Sequence, residues 1–144
     1  MTKVSGSFSG KAVWQASVSL KDQPNHDMIL GEIAGPQKSS DEKWNNAAVT
    51  YWNTIDLLSG NGPQRGYFIN VRPDGESDRG SFEGKVTTTG AEVRLEGTWK
   101  YTGGTGKFSG ITGNGTYRGR MVSPTQVEMT WEGEYQLAGT KSAN

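Results

Sequence analysis

Along most of this chain apolar and polar side chains alternate with a period of two, the spacing that places every second residue on one face of a β-strand. In residues 11–20, Trp14, Ala16, Val18 and Leu20 share one face and Gln15, Ser17 and Ser19 the other. In 28–34, Met28, Leu30, Glu32 and Ala34 oppose Ile29, Gly31 and Ile33; both faces are largely apolar, which leaves one to meet another subunit. In 47–58, Val49, Tyr51, Asn53, Ile55 and Leu57 oppose Thr50, Trp52, Thr54 and Asp56. Tyr67, Ile69 and Val71 share a side of 64–72, and Phe82 and Val86 a side of 79–88. In 91–101, Val93, Leu95, Gly97, Trp99 and Tyr101 oppose Glu92, Arg94, Glu96, Thr98 and Lys100. A seventh strand is expected over 113–122. The eighth, over 125–137, sets Val127, Met129, Trp131, Gly133 and Tyr135 against Glu128, Thr130, Glu132 and Glu134.

Turn-forming runs separate these segments: Asp22-Gln23-Pro24-Asn25, Ser59-Gly60-Asn61-Gly62-Pro63, Pro73-Asp74-Gly75-Glu76, Thr89-Gly90 and Ser123-Pro124. The longest connection, residues 35–46, is polar and contains Pro36; its length marks it as a candidate lid. Residues 138–144 read as a frayed tail, and no segment has a helical period. Eight strands joined by short turns predict an all-β fold, a sandwich or an up-and-down barrel.

The glycines favour closure. There are 21 in 144 residues, beside five Trp, five Tyr and four Phe. Four segments repeat Gly-x-aromatic-x-Gly: Gly6-Ser7-Phe8-Ser9-Gly10, Gly80-Ser81-Phe82-Glu83-Gly84, Gly106-Lys107-Phe108-Ser109-Gly110 and Gly115-Thr116-Tyr117-Arg118-Gly119. In a strand the two glycines flank the ring on its own face, and the space they leave admits a neighbouring ring or a sharp bend. The expectation is therefore one eight-stranded antiparallel up-and-down β-barrel over residues 1–137, whose width suits side-chain filling or one small ligand. The glycine run over 97–122 is not a phosphate loop. Gly106-Lys107 is followed by Phe108, with Tyr101 where the first glycine of a P-loop belongs, and Ser109 replaces the third glycine of a dinucleotide fingerprint.

Charge and composition narrow the chemistry. Fifteen Lys and Arg balance fifteen Asp and Glu, and no basic run occurs, which argues against binding nucleic acid through phosphate neutralisation. With no cysteine and one histidine, His26, neither a disulfide framework nor a multi-histidine metal centre can form within the chain. The N-terminal residues lack an apolar signal core, and no apolar run has membrane-spanning length, so a soluble cytoplasmic protein is expected. On that reading the Asn114-Gly115-Thr116 sequon is idle.

The run Tyr101-Thr102-Gly103-Gly104-Thr105-Gly106-Lys107-Phe108-Ser109-Gly110-Ile111-Thr112-Gly113-Asn114-Gly115-Thr116-Tyr117 resembles the glycine signature of the allene oxide cyclase/dirigent barrel superfamily. Gly97-Thr98-Trp99 and Trp131-Glu132-Gly133-Glu134-Tyr135 are compatible with it. The close match covers about a quarter of the chain and speaks to fold more than to chemistry. The resemblance implies a lipocalin-like eight-stranded barrel with a cavity, often in dimers or trimers. It also implies a range of roles, from cyclising a fatty-acid epoxide to steering radical coupling without chemistry of its own. The cyclase uses a glutamate on its first strand. Here that strand offers only Gln15, Ser17 and Ser19, so no catalytic residue carries over.

Candidate site residues follow from the faces. Glu32 is a carboxylate among apolar neighbours; inside a barrel it would have a raised pKa suited to acid–base work, and on the other face it meets solvent. Asn53 and Tyr51 would orient a ligand carbonyl or hydroxyl, or pack as core. Trp14, Tyr67, Phe82, Trp99, Met129, Trp131 and Tyr135 would form the walls, as they also would in a filled barrel. Trp52, opposite Tyr51 and Asn53, suits an oligomer interface. Glu128, Glu132 and Glu134 with Arg94, Lys100 and Arg118 read as outer-face charge pairs, and His26 as a turn residue. Two functions remain open. One is a cofactor-independent isomerase or cyclase acting on a small hydrophobic substrate. The other is a non-catalytic binding, carrier or structural barrel. Neither calls for a metal or cofactor.

Overall fold

The computed structural model describes residues 1–139. Eight strands follow one another: β1 (Thr2–Leu20), β2 (His26–Ser39), β3 (Ala48–Leu58), β4 (Gly62–Val71), β5 (Ser77–Thr89), β6 (Glu92–Gly104), β7 (Thr112–Ser123) and β8 (Gln126–Gln136). Each pairs antiparallel with the next, and β8 returns to pair with the first half of β1, from Thr2↔Tyr135 to Lys11↔Gln126. The sheet therefore closes into a single up-and-down barrel, with β1 from Trp14 onward pairing with β2 alone. No α-helix occurs among the described residues; one short 3-10 turn, Gly106–Phe108, lies between β6 and β7. The tail expected over 138–144 lies outside the described residues from 140 onward.

Aromatic rings and glycines fill the interior together. The Trp99 indole lies across Gly115 and Gly133 on the next two strands, where an added Cβ would come within 2.5 and 2.6 Å of the ring. The Tyr117 hydroxyl sits over Gly84 and Gly97, 2.5 and 2.7 Å from the same hypothetical atoms. The Gly-x-aromatic-x-Gly pattern thus does on β1, β5 and β7 what its spacing implies. Its third copy departs: Gly106–Gly110 leaves the sheet, and Phe108 turns down into the barrel end, fully buried.

Three expected features are corrected. β2 continues through Pro36 to Ser39, so the loop between β2 and β3 is confined to 40–47. On β4 the inward face is Gln64, Gly66, Phe68 and Asn70, and Tyr67, Ile69 and Val71 face out. On β1 the register shifts between Ala12 and Trp14: Ala12 pairs with Ile33 and Trp14 with Glu32, leaving Val13 as an extra residue. A bulge of this kind reverses the faces of everything beyond it. Upstream, Val4 and Phe8 point inward. Downstream, Gln15 and Ser17 line the interior while Trp14 and Val18 are 44% and 52% exposed.

The outer surface is consequently two-sided. On β1–β4 it carries Trp14, Val18, Met28, Leu30, Trp52 and Tyr67. On β5–β8 it carries charge, including the pairs Lys85–Glu96 (3.2 Å), Arg94–Glu92 (3.0 Å) and Arg120–Glu128 (3.7 Å).

Candidate binding site

One end of the barrel is sealed. The loop 40–47 lays Trp44 across it with no exposed surface. Its indole stacks on Tyr101 and meets Phe108 and Tyr135 edge-on, with centroids 4.6–5.9 Å apart. Trp44 Nε1–H donates to Asp78 Oδ1 at 3.0 Å, Asn70 Nδ2–H donates to Asp78 Oδ2 at 2.9 Å, and Arg72 Nη1 pairs with Asp78 at 2.5 Å. The Arg72 guanidinium lies 3.6 Å from the Phe108 ring centre, and its Nε–H donates to the Lys43 carbonyl at 2.6 Å. The Tyr135 hydroxyl donates to Asp41 at 2.5 Å. Burial pushes the Asp78 carboxyl up, opposed by Arg72 and the two neutral donors. Burial also acts on Asp41, but the Tyr135 hydroxyl and Lys43 outweigh it and hold that carboxyl below its usual value. The loop expected as a lid is thus a packed plug, because its tryptophan supplies both a ring for the core and a donor for a buried carboxylate.

Beneath the plug is a chamber of about 100 Å³ lined by rings, among them Phe8, Phe68, Phe82, Trp99 and Trp131, with Gln37 and Asn70 toward the plug. A ~150 Å³ apolar cavity holds no more than a benzene-sized guest. The chamber is therefore too small for a ligand of the usual pocket size, about 300–1,000 Å³.

The other end is different. The turns after β1, β3, β5 and β7 leave it uncapped, and a vestibule of about 630 Å³ runs in from it. Its walls are Ile29, Ile33, Ile55, Leu57, Val93 and Met121, with Gln15 and Ser17 near the mouth. Its floor is Tyr51, Asn53 and Gln64, of which Tyr51 and Gln64 also roof the inner chamber. These three residues are 5, 5 and 2% exposed. Tyr117 donates its hydroxyl hydrogen to Gln64 Oε1 at 2.9 Å, which fixes that amide and aims Nε2 elsewhere. Gln64 Nε2, the Asn53 amide and the Tyr51 hydroxyl have no hydrogen-bond partner among the described residues. They are not sealed in protein either, so they face cavity space. Burial raises the Tyr51 and Tyr117 phenols above their usual range, so both stay protonated and act as donors, not bases.

Of the residues expected from sequence, Asn53 and Tyr51 come together on this floor. Phe82, Trp99, Met129 and Trp131 wall the inner chamber. Tyr135 is inside too, but as part of the plug. Three expectations are corrected. Glu32 lies on the outer face, where Trp52 Nε1–H donates to it at 2.7 Å, so the barrel holds no acid–base carboxylate at that position. Trp14 faces out because of the bulge, and Tyr67 is 68% exposed because β4 buries its other face. His26 opens β2, bridged by Asp22 (2.7 Å) and Asp56 (2.6 Å) outside the vestibule.

Gln64 and Trp44 were not singled out by sequence. Gln64 shares its face with Gly66 and Phe68, a glycine–aromatic pairing that marks the inner face elsewhere in this chain. Trp44 is a lone ring in the polar run Ser39–Asn46, an outlier that solvent alone would not favour. Comparison with protein-family models, with curated proteins and with solved structures returned no match to this chain.

Proposed function

We propose that the protein is a small-molecule-binding barrel that admits a largely apolar ligand through its open end. The observation that carries this reading is the vestibule floor: three polar groups, nearly buried and unpartnered, at the bottom of an apolar well open to solvent. Facing cavity space, these groups can meet water while the well is empty and exchange it for a ligand oxygen, whereas a filled barrel would place apolar residues there. Of the two functions the sequence leaves open, this favours the binding or carrier form. The isomerase or cyclase form loses its acid–base group with Glu32 outside, and what remains for it is confinement and hydrogen bonding by neutral donors. Kinship with the allene oxide cyclase/dirigent superfamily is part of the proposal; the glycine run and the closed eight-stranded architecture support it. A thermal-shift screen of apolar metabolites tests the reading. Stabilisation that disappears when the vestibule is filled by Ile55→Trp supports it, and a screen with no stabilising compound rejects it.

We also propose that a second copy of the chain covers the outer face of β1–β4. At about 150–250 Å² per full side chain, the exposed parts of Trp14, Val18, Met28, Leu30, Trp52 and Tyr67 come to roughly 600 Å². With a polar rim this approaches the ~800 Å² that each partner buries in a stable interface, and β5–β8 offers no comparable apolar surface. Sedimentation velocity checks this: a dimer is expected, a Trp14→Thr/Trp52→Thr variant sediments as a monomer, and a wild type that stays monomeric refutes it.

A further inference from the structure

We infer that the ligand is uncharged and is held, head first, by a carbonyl or hydroxyl oxygen set against Gln64, Asn53 and Tyr51. This rests on the binding reading above and deepens it. No Asp, Glu, Lys, Arg or His lines either the vestibule or the inner chamber. The ionic groups inside the barrel belong to the closed end, where Arg72 and Asp78 are already paired with each other. A ligand carboxylate or phosphate entering the well would lose its hydration and meet no cation. An ammonium would meet no anion on the floor.

The floor is also biased toward donors. Tyr117 occupies the acceptor of Gln64, so the Gln64 amide presents N–H groups to the cavity. The Tyr51 hydroxyl adds another donor, and both it and the Asn53 amide can also accept. Gln64 lies diagonally across from Asn53 in the β3–β4 register, with Gly66 directly opposite Asn53, so no side chain stands between the two amides. The Gln64 N–H groups beside two groups that can also donate suit a single oxygen that accepts two hydrogen bonds. That is the chemistry of a ketone, ester, amide or alcohol. The walls beyond the floor, Ile29, Ile33, Ile55, Leu57, Val93 and Met121, would take the hydrocarbon body.

The test is a matched set of decyl compounds, 2-decanone, decanamide, 1-decanol, decanoate and decylammonium, titrated calorimetrically at neutral pH. The ketone, amide and alcohol are expected to bind at least about tenfold tighter than either ion. Asn53→Leu and Gln64→Leu are each expected to weaken 2-decanone about three- to tenfold, the worth of one hydrogen bond. Each variant's melting temperature serves as the folding control. Decanoate or decylammonium binding as well as the ketone overturns the inference and leaves the binding barrel standing. Neutral binding indifferent to both substitutions also overturns it. A set in which nothing binds removes the binding reading itself, and this inference with it.

Discussion

The two ends of this barrel are built from the same kinds of residue and use them in opposite ways. At the closed end most polar side chains answer one another: Asp78 takes hydrogen bonds from Trp44 and Asn70 and pairs with Arg72, Tyr135 donates to Asp41, and the Arg72 Nη2 group is left without a partner among the described residues. At the open end Asn53, Tyr51 and the Gln64 Nε2 group are as deeply placed and have no partner among the described residues, while Gln64 Oε1 accepts from Tyr117. On the proposed reading, the largely self-paired cluster holds structure and the floor beside empty space receives the ligand. That difference separates stability from function more sharply than burial does, since burial is the same at both ends.

The contrast can be broken by substitution. The largest effect is expected at the plug. Trp44→Ala removes a fully buried indole and the Asp78 donor together and should cost about 3–5 kcal/mol in urea denaturation. Arg72→Met leaves a buried carboxylate without its cation and should cost a comparable ~3–5 kcal/mol. A loss under 1 kcal/mol in both would mean that the plug does not hold the fold. Tyr117→Phe, between the two regions, should cost about 0.5–1.5 kcal/mol by freeing the Gln64 oxygen. At the open end the sign should change. Asn53→Leu is expected to leave stability unchanged or raise it by up to about 1 kcal/mol, because no hydrogen bond is lost. A clear destabilisation there would erase the distinction between the ends.

The smallest effect lies outside both regions. Hydrogen bonds first to Asp22 and then to Asp56 raise the His26 pKa above its ordinary value. The stability it contributes is complete below about pH 6.5, the unfolded value, and is lost as pH rises through the higher folded value. Asp22 is shifted down, so its share is present above about 3.8 and fades as pH falls through its lower folded value. His26→Asn should flatten the melting temperature above pH 6.5 and leave the plug and floor variants' effects intact. A profile that keeps its slope would assign the pH dependence elsewhere.

The architecture was legible in the sequence because closure leaves a periodic trace: each strand alternates, and each large ring needs glycines beside it. Trp99 over Gly115 and Gly133 is that rule in atoms. The direction of individual faces was less legible, since apolarity decides it only where one side is wet. On β1 and β4 the outer surface is as apolar as the lining, so Trp14 and Tyr67 read as inward when they are not. Glu32 was misplaced for the same reason: its strand is apolar on both sides. The plug escaped altogether because its parts, Trp44, Asn70, Arg72 and Asp78, come from different connections and strand ends and meet only in three dimensions.

The bulge at Val13 has a kinetic side. Upstream of it β1 is held between two neighbours, β8 and β2; from Trp14 onward it pairs with β2 alone. A chain that docks β1 without the bulge would turn Trp14, Ala16, Val18 and Leu20 inward, a register that hydrophobic collapse favours and that fills the vestibule. Refolding is therefore expected to visit an occluded intermediate and to leave it by a one-residue slide. Deleting Val13 gives unbroken alternation from Val4 to Ser19 with the inward face Phe8, Gly10, Ala12, Gln15, Ser17, and so abolishes the competing register. Stopped-flow tryptophan fluorescence should show a slow phase in the full-length chain that the deletion removes. The extra residue would then be the origin of the chain's slowest step.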